Sequence, residues 1–419
     1  MDSGSIQISD LGGPRAIPKR GFARYWFVAL FFALLLLPAL TQLSGLDPID
    51  PGAENRTLAS QPDMPRTLAA LLRFPAAADA YLRDWFGLRQ PMVAANDWLR
   101  FHLLHEVASP DLLVGKHGRV VFSSHPGGVP LSMIYEVCGA NILPGKFEGA
   151  MINLEALLTR AGRDAPNLVY VVAPTVAALY DEDLPRWVRA PCRSATPSVE
   201  ATLAHFSKRP DLLGHIDYPI QFLSELKPSV PVIPKYSFHW FGVGPLRYAE
   251  HLSETRFGLP RTLTLPTRAE DWPSDLNRLN PGVDWANHVP APDFGMAGVS
   301  FCSGAACDPA ANSRVIAPLD RYKRPQPGGK RLLIIADSFG DNIAGDFIEY
   351  FGEVWHVHYN LLSPLTRAEL DSLHDLMFRD FHPDQVLFIS HDFGIFYVPA
   401  MMRDYFWPEA TPVGNTLGR

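Results

Sequence analysis

Arg331-Leu332-Leu333-Ile334-Ile335-Ala336-Asp337-Ser338-Phe339 decides how this chain is read. The apolar run is a buried strand, Asp337-Ser338 is a turn, and a helix-like stretch follows. A serine at such a junction turns its hydroxyl toward the cleft above the sheet edge, where it is placed to act as a nucleophile. The plainer reading is a helix N-cap serine. The helix start also offers backbone N–H groups that can stabilise an oxyanion. Asp337 reads as a brace for the turn. Asn342 reads either as an oxyanion donor or as a helix-start residue.

Working outward, strand 331–336 is followed by helix 342–351, strand 354–359, helix 365–380 and strand 385–390. Strand–helix alternation of this kind predicts a mostly parallel sheet covered by helices on both faces, an α/β domain. Upstream, 168–173 is an apolar strand, 147–163 an amphipathic helix and 243–257 a further helix. The text of 112–122 suggests two short strands around a glycine turn. Residues 67–107 read as mostly helical, and 262–327, rich in Pro, Asn, Asp and Gly, as irregular.

The chain has 419 residues, of which 47% are hydrophobic, enough for a substantial core. Its 39 prolines argue for many loops and against a helical bundle. A net charge of −7 without a basic cluster gives no support for a nucleic-acid partner. Tyr25 to Leu46 carries no charge and is long enough to span a hydrocarbon core of about 30 Å. Arg15, Lys19, Arg20 and Arg24 precede it, and Asp47, Asp50 and Glu54 follow. This predicts a single-pass inner-membrane anchor with its N-terminus in the cytoplasm and its main domain in the periplasm. A cleaved signal peptide is the alternative, but no small-x-small cleavage site is evident. The expected organisation is a cytoplasmic segment 1–24, a transmembrane signal anchor 25–46, a linker 47–75, an α/β domain 76–400 and a tail 401–419.

The four cysteines suit an exported protein. Of the three possible connectivities, 138–192 with 302–307 is the natural pairing. A zinc site at these cysteines lacks the paired C-x-x-C spacing.

The second chemistry-bearing stretch is Tyr236-Ser237-Phe238-His239-Trp240-Phe241, which offers His239 as a base for Ser338. Taken alone, a histidine among aromatics is a packed core residue. Trp240, Phe241, Tyr236 and Trp187 can form a sugar-stacking platform, although core packing is the default. His356 and His358 alternate on a strand and share one face. Two histidines without a third ligand read as packing or surface residues.

Several short segments, in order, resemble the AlgJ/AlgX-type alginate O-acetyltransferase family, whose domain is SGNH-hydrolase-like. They are Trp85-Phe86-Gly87-Leu88-Arg89, Leu113-Val114-Gly115-Lys116-His117-Gly118, Ala173-Pro174 through Leu184-Pro185, Ser237-Phe238-His239-Trp240, Ala336-Asp337-Ser338-Phe339 and Phe381-His382-Pro383-Asp384-Gln385-Val386. The resemblance implies a periplasmic SGNH-like acetyltransferase of exopolysaccharide or alginate biosynthesis, with Ser338 as the acyl-accepting nucleophile and His239 as the general base. It also implies a membrane-bound acyltransferase partner that supplies acetyl groups, and it calls for no cofactor and no metal.

One position departs from that pattern. The family has an aspartate two residues before the histidine, and this chain has Ser237. A serine cannot supply the charge that stabilises an imidazolium. Three accounts follow. The orienting group comes from elsewhere, with Asp392 a candidate. Or the pair works as a slow dyad, with Ser237 or a backbone carbonyl holding the ring. Or the chain has lost its chemistry and keeps a polysaccharide-binding or scaffold role. An acetyl esterase, in which water replaces the sugar hydroxyl, is a further alternative.

Overall fold

The computed structural model describes residues 21–46, 58–125, 128–326 and 328–408, with side chains omitted at 21–24 and 43. The charges at Arg15, Lys19, Arg20, Asp47, Asp50 and Glu54, the Arg24 side chain and the tail from 409 onward lie outside the described residues. The chain divides into two compact units, Met1–Ala95 and Asn96–Arg419.

In the first unit, helix α1 (Gly21–Ser44) is exposed over most of its described residues, with Pro38 buried within it. Its stretch Tyr25–Gln42 is long and apolar enough to cross a membrane, a property that a signal sequence shares. Helix α2 (Leu68–Asp84) starts at Thr67, whose hydroxyl accepts from the Ala70 N–H, so a helix occupies the end of the expected linker.

The second unit is built on a seven-stranded sheet. In chain order its first part is the hairpin β1 (Leu112–Val114) and β2 (Val120–Phe122), then helix α3 (Pro144–Asp164), β3 (Leu168–Ala173), β4 (Ile216–Asp217) and helix α4 (Val243–Thr255). A second antiparallel pair follows, β5 (Thr267–Pro273) with β6 (Ala286–Pro292), and then β7 (Ser300–Ser303) and β8 (Leu319–Lys323). The last part is β9 (Arg331–Ala336), the single-turn helix α5 (Ser338–Asp341), β10 (Glu353–His358), helix α6 (Arg367–Asp375), β11 (Gln385–His391) and helix α7 (Val398–Phe406).

The sheet order is β4-β3-β11-β9-β10-β8-β7, parallel from β4 to β10, with β8 and β7 joined antiparallel at one edge. This is the mostly parallel α/β sheet expected from 331–390. The strands alternate between two cores. Leu332, Ile334 and Ala336 of β9 face one side with Leu246, Tyr248 and Leu252 of α4. Leu333 and Ile335 face the other with Leu154 and Leu158 of α3, Leu373 of α6 and Met402 of α7. Burial on both faces is why these strands read as unbroken apolar runs rather than alternating ones.

Topology places the serine. The chain leaves β9 for its neighbour β10 on one side, then crosses to β11 on the other. The carboxyl end of β9 is thus a switch point where adjacent connections diverge and leave a crevice, and Ser338 follows there.

Two expectations need correction. The helix expected over 342–351 is broken: α5 ends at Asp341, and Ala344–Glu349 winds as a 3₁₀ segment. Gly340 and Gly345 weaken helix propensity here, and both are fixed by close packing, Gly340 against His356 and Gly345 against Phe294 and Tyr322. The region 262–327 holds four strands rather than none. The β5 strand exposes residues on both faces, and β5 and β6 both end in proline, so neither shows the alternation that marks a strand in sequence. Cys138 pairs with Cys192 and Cys302 with Cys307, as expected.

Candidate active site

Ser338 opens α5, and Asp337 is its N-cap, its carboxylate accepting from the Phe339 N–H at 2.9 Å. The other Asp337 oxygen accepts from the His391 N–H at 2.9 Å and also meets the His391 ring Nδ1. Burial pushes the Asp337 carboxyl up, but the His391 charge and these hydrogen bonds outweigh it and hold the group below the usual carboxylate range. The His391 Nε2 in turn lies 3.1 Å from the Tyr397 hydroxyl. Asp337 therefore braces the turn rather than facing a substrate.

Across the crevice, His239 Nε2 lies 2.6 Å from Ser338 Oγ. The two segments are fixed to each other by Trp240, fully buried, whose indole N–H donates to the Phe339 carbonyl at 2.7 Å. That geometry excludes Trp240 as a sugar platform. Tyr236 stacks on Trp285 and Trp187 lies exposed elsewhere, which leaves Phe241 as the member of that set beside the crevice.

The orienting group is Asp275, which follows β5. Its Oδ2 lies 2.5 Å from His239 Nδ1. The same carboxylate accepts from the Phe238 N–H at 3.0 Å and the His239 N–H at 3.2 Å. Ser237 Oγ is 3.2 Å from Asp275 Oδ2 and 2.9 Å from the His239 carbonyl. Ser237 thus holds the aspartate that holds the ring. Burial raises the Asp275 carboxyl, and contact with His239 together with the backbone N–H groups of Phe238 and His239 reverses this and leaves it lowered, hence ionised near neutral pH.

Asp392 is not the orienter. It is buried and bonded to the Thr175 N–H and hydroxyl at 2.9 and 3.0 Å and to the Phe393 N–H at 2.9 Å. Burial raises its carboxyl to about 6. Asn342 donates to the Ser338 carbonyl at 3.4 Å, an arrangement that supports the turn.

Sequence reasoning missed Asp275. It lies 36 residues past His239 in a stretch read as irregular, and nothing local distinguishes it from Asp271 or Asp284. The one trace is its partner: a serine at 237 is small enough and polar enough to accommodate a carboxylate.

The arrangement makes Ser237→Asp a sharp test. A second carboxylate 3.2 Å from where Asp275 Oδ2 sits forces one of the two to hold a proton, and the charge beside His239 is disturbed. The variant is expected to release acetate from an activated acetyl ester at least about tenfold more slowly than the wild type at neutral pH. A rate gain would instead give the orienting role to position 237.

A cleft of 460 Å³ opens beside α5, lined by Asp341 and Asn342. Phe241 stacks on the partly exposed Trp272 at 4.3 Å, and Phe294 lies opposite among the lining residues. Asp346 also lines it. Burial, with Glu349 and Glu250 nearby, pushes its carboxyl well above the usual range, and its Oδ2 has no hydrogen-bond partner among the described residues. Another cavity, of 350 Å³, lies against the Cys138–Cys192 disulfide. Ser338, His239 and Asp275 are among the lining residues of neither, and of the two the cleft beside α5 is the one whose lining includes residues of that helix and its end.

No protein-family model matches the chain, and no curated protein matches it. Among solved structures it is similar to Bacillus cereus PatB1 bearing a sulfonyl adduct, with TM-score 0.43 and 12% identity over 63% of this chain and 92% of that one. It is similar to the O-acetyltransferase domain of Pseudomonas putida AlgJ, with TM-score 0.41 and 13% identity over 69% of this chain and 93% of that one. For Pseudomonas aeruginosa AlgX the values are 0.38 and 13%, over 73% of this chain and 70% of that one. AlgJ and AlgX are the two proteins whose names the resembled family carries, but likenesses this distant carry no argument about chemistry, which rests on the geometry above.

Proposed function

We propose that this chain transfers acetyl groups to hydroxyls of an exported polysaccharide through an acetyl-Ser338 intermediate, from an SGNH-like domain anchored to the inner membrane and facing the periplasm. The observation that carries the reading is the continuous chain Ser338 Oγ, His239 Nε2, His239 Nδ1 and Asp275 Oδ2, at 2.6 and 2.5 Å.

In the first half-reaction His239 Nε2 takes the Ser338 hydroxyl proton while Oγ bonds to the carbonyl carbon of an acetyl ester or thioester donor. The donor's C–O or C–S bond then breaks, and its leaving group departs with the proton from His239. In the second half a sugar hydroxyl gives its proton to His239 and attacks the acetyl carbon, and Ser338 Oγ leaves and regains that proton. Asp275 fixes the tautomer with Nδ1–H and stabilises the imidazolium formed in each half. Splitting one acyl transfer into two easier steps is what a serine nucleophile contributes.

The cleft beside α5 supports a sugar acceptor, since the Trp272–Phe241 pair offers an apolar face and Asp341 and Asn342 offer polar contacts. The apolar stretch Tyr25–Gln42 supports the anchor. A membrane-bound acyltransferase is the donor-side partner of this reading.

The test is to supply an activated acetyl ester with and without polysaccharide-derived oligosaccharides and to weigh the sugars. Acetylated oligosaccharide that depends on Ser338 is the expected product. Release of acetate alone would indicate an esterase, and identical slow release by wild type and Ser338→Ala would indicate a binding or scaffold component.

A further inference from the structure

The side of the sheet that carries α5 holds a second cluster of chemistry-bearing side chains that the triad does not use. On β10, His356 pairs directly with Asp320 of the antiparallel strand β8, and His358 follows two residues on, facing the same way. Asp341, the last residue of α5, closes the group. His356 Nδ1 lies 3.4 Å from Asp320 Oδ2 and 3.7 Å from Asp341 Oδ1, and His358 Nε2 lies 3.4 Å from Asp341 Oδ2. The ligand atoms of Asp320, Asp341 and His356 all lie within 4.8 Å of one another.

These separations are the informative feature. Where this protein joins a histidine to an aspartate by a strong hydrogen bond, the atoms are closer: 2.5 Å in His239–Asp275 and 2.7 Å in His288–Asp271. The cluster is wider: the His356 Nδ1–Asp320 Oδ2 hydrogen bond is long at 3.4 Å, and Asp341 stands 3.4 and 3.7 Å from the two rings. Ligands bound at about 2.0–2.2 Å around one cation stand roughly 3–3.6 Å apart at tetrahedral or octahedral angles. His356 is fully buried and turns Nδ1 into this space, and its Nε2 has no hydrogen-bond partner among the described residues. The Nδ1 of His358 is likewise buried without one. Two carboxylates converge here, and positive charge beside them, from a protonated imidazole or from a bound cation, relieves their repulsion.

We propose that Asp320, Asp341 and His356, with His358 beside them, form a binding site for one divalent first-row transition-metal ion such as Zn²⁺ or Mn²⁺. Mixed imidazole and carboxylate donors suit these ions, whereas Mg²⁺ and Ca²⁺ prefer oxygen-only ligands. The site departs from the expectation that no metal is called for, because the sequence offered two histidines and hid the carboxylates on other elements. Its role is positional. The ion would tie Asp341, at one end of the single-turn helix whose first residue is Ser338, to the two strands beneath. The inference shares Asp341 with the cleft of the acetyl-transfer reading, but its readouts, metal retention and melting temperature, do not depend on acetyl transfer.

The experiment uses the full-length, untagged chain in detergent, stripped with chelator and then incubated with ZnCl₂ or MnCl₂. Metal content is measured after gel filtration, and the melting temperature is measured with and without each ion. The expected result is about one equivalent retained per chain, with a melting temperature that rises by several degrees. Asp341→Asn, at an exposed position, is expected to fold as the wild type does without metal and to weaken retention at least about tenfold. His356→Gln should do the same if it folds. Wild-type protein that retains neither ion, or Asp341→Asn protein that retains either ion as well as the wild type, overturns the proposal.

Discussion

Asp275→Asn is expected to lower turnover of an activated acetyl ester by about four orders of magnitude, roughly 5.5 kcal/mol of transition-state stabilisation. Asparagine nearly matches aspartate in shape: with its amide oxygen at the Oδ1 position it still accepts from the Phe238 N–H, and its NH₂ at the Oδ2 position can donate to the Ser237 hydroxyl oxygen. What changes is the face shown to the ring. An NH₂ against His239 Nδ1 demands a lone pair there, which moves the proton to Nε2, the atom 2.6 Å from Ser338 Oγ. A protonated Nε2 cannot take the serine proton. The loss should fall on kcat rather than KM, because Asp275 touches the base and not the acceptor cleft. The melting temperature should change little. Steady-state kinetics with circular dichroism on the same preparations reads both.

Ser338→Ala removes the atom that forms the covalent bond and is expected to cost about six orders of magnitude in turnover, as loss of a triad nucleophile does elsewhere. The residual rate should be insensitive to a second change at His239 or Asp275, because these act only through the serine. A double variant therefore serves as the control. Additive losses in Ser338→Ala/Asp275→Asn would mean that Asp275 acts by another route, such as holding the fold of 236–241. Non-additivity places Ser338, His239 and Asp275 in one unit.

How much of this was legible in the sequence follows from burial. Strands β3, β9 and β11 are covered on both faces, so their apolar runs mark them plainly. Ser338 was legible because it follows such a run. His239 drew attention only through its segment, since a histidine among aromatics carries no signal by itself. Strands β5 and β6 were not legible: β5 is exposed on both faces, and the buried face of β6 is Asn287, Val289 and Ala291, too polar and small to read as an apolar alternation. Asp275 inherits that obscurity, because its place beside His239 is set by the course of the chain after β5. The same holds for the carboxylates near His356. Asp320 meets it through antiparallel pairing of β8 with β10, and Asp341 through the turn after β9, neither of which spacing along the chain reveals.

The departure at Ser237 changes meaning accordingly. The aspartate absent two residues before the histidine is replaced by one that reaches the same ring nitrogen from another part of the chain. Ser237 then contributes a hydroxyl within 3.2 Å of that carboxylate in place of the charge itself.

The most direct measurement of the central claim is the mass of the peptide containing Ser338 after brief mixing of the protein with an activated acetyl ester and quenching in acid. An acetyl group on Ser338 is expected in the wild type, removed when an oligosaccharide acceptor is added before the quench and formed far more slowly in Asp275→Asn. An unmodified Ser338 peptide at a time when acetyl transfer is under way, or acetylation at full rate in Asp275→Asn, would contradict the account.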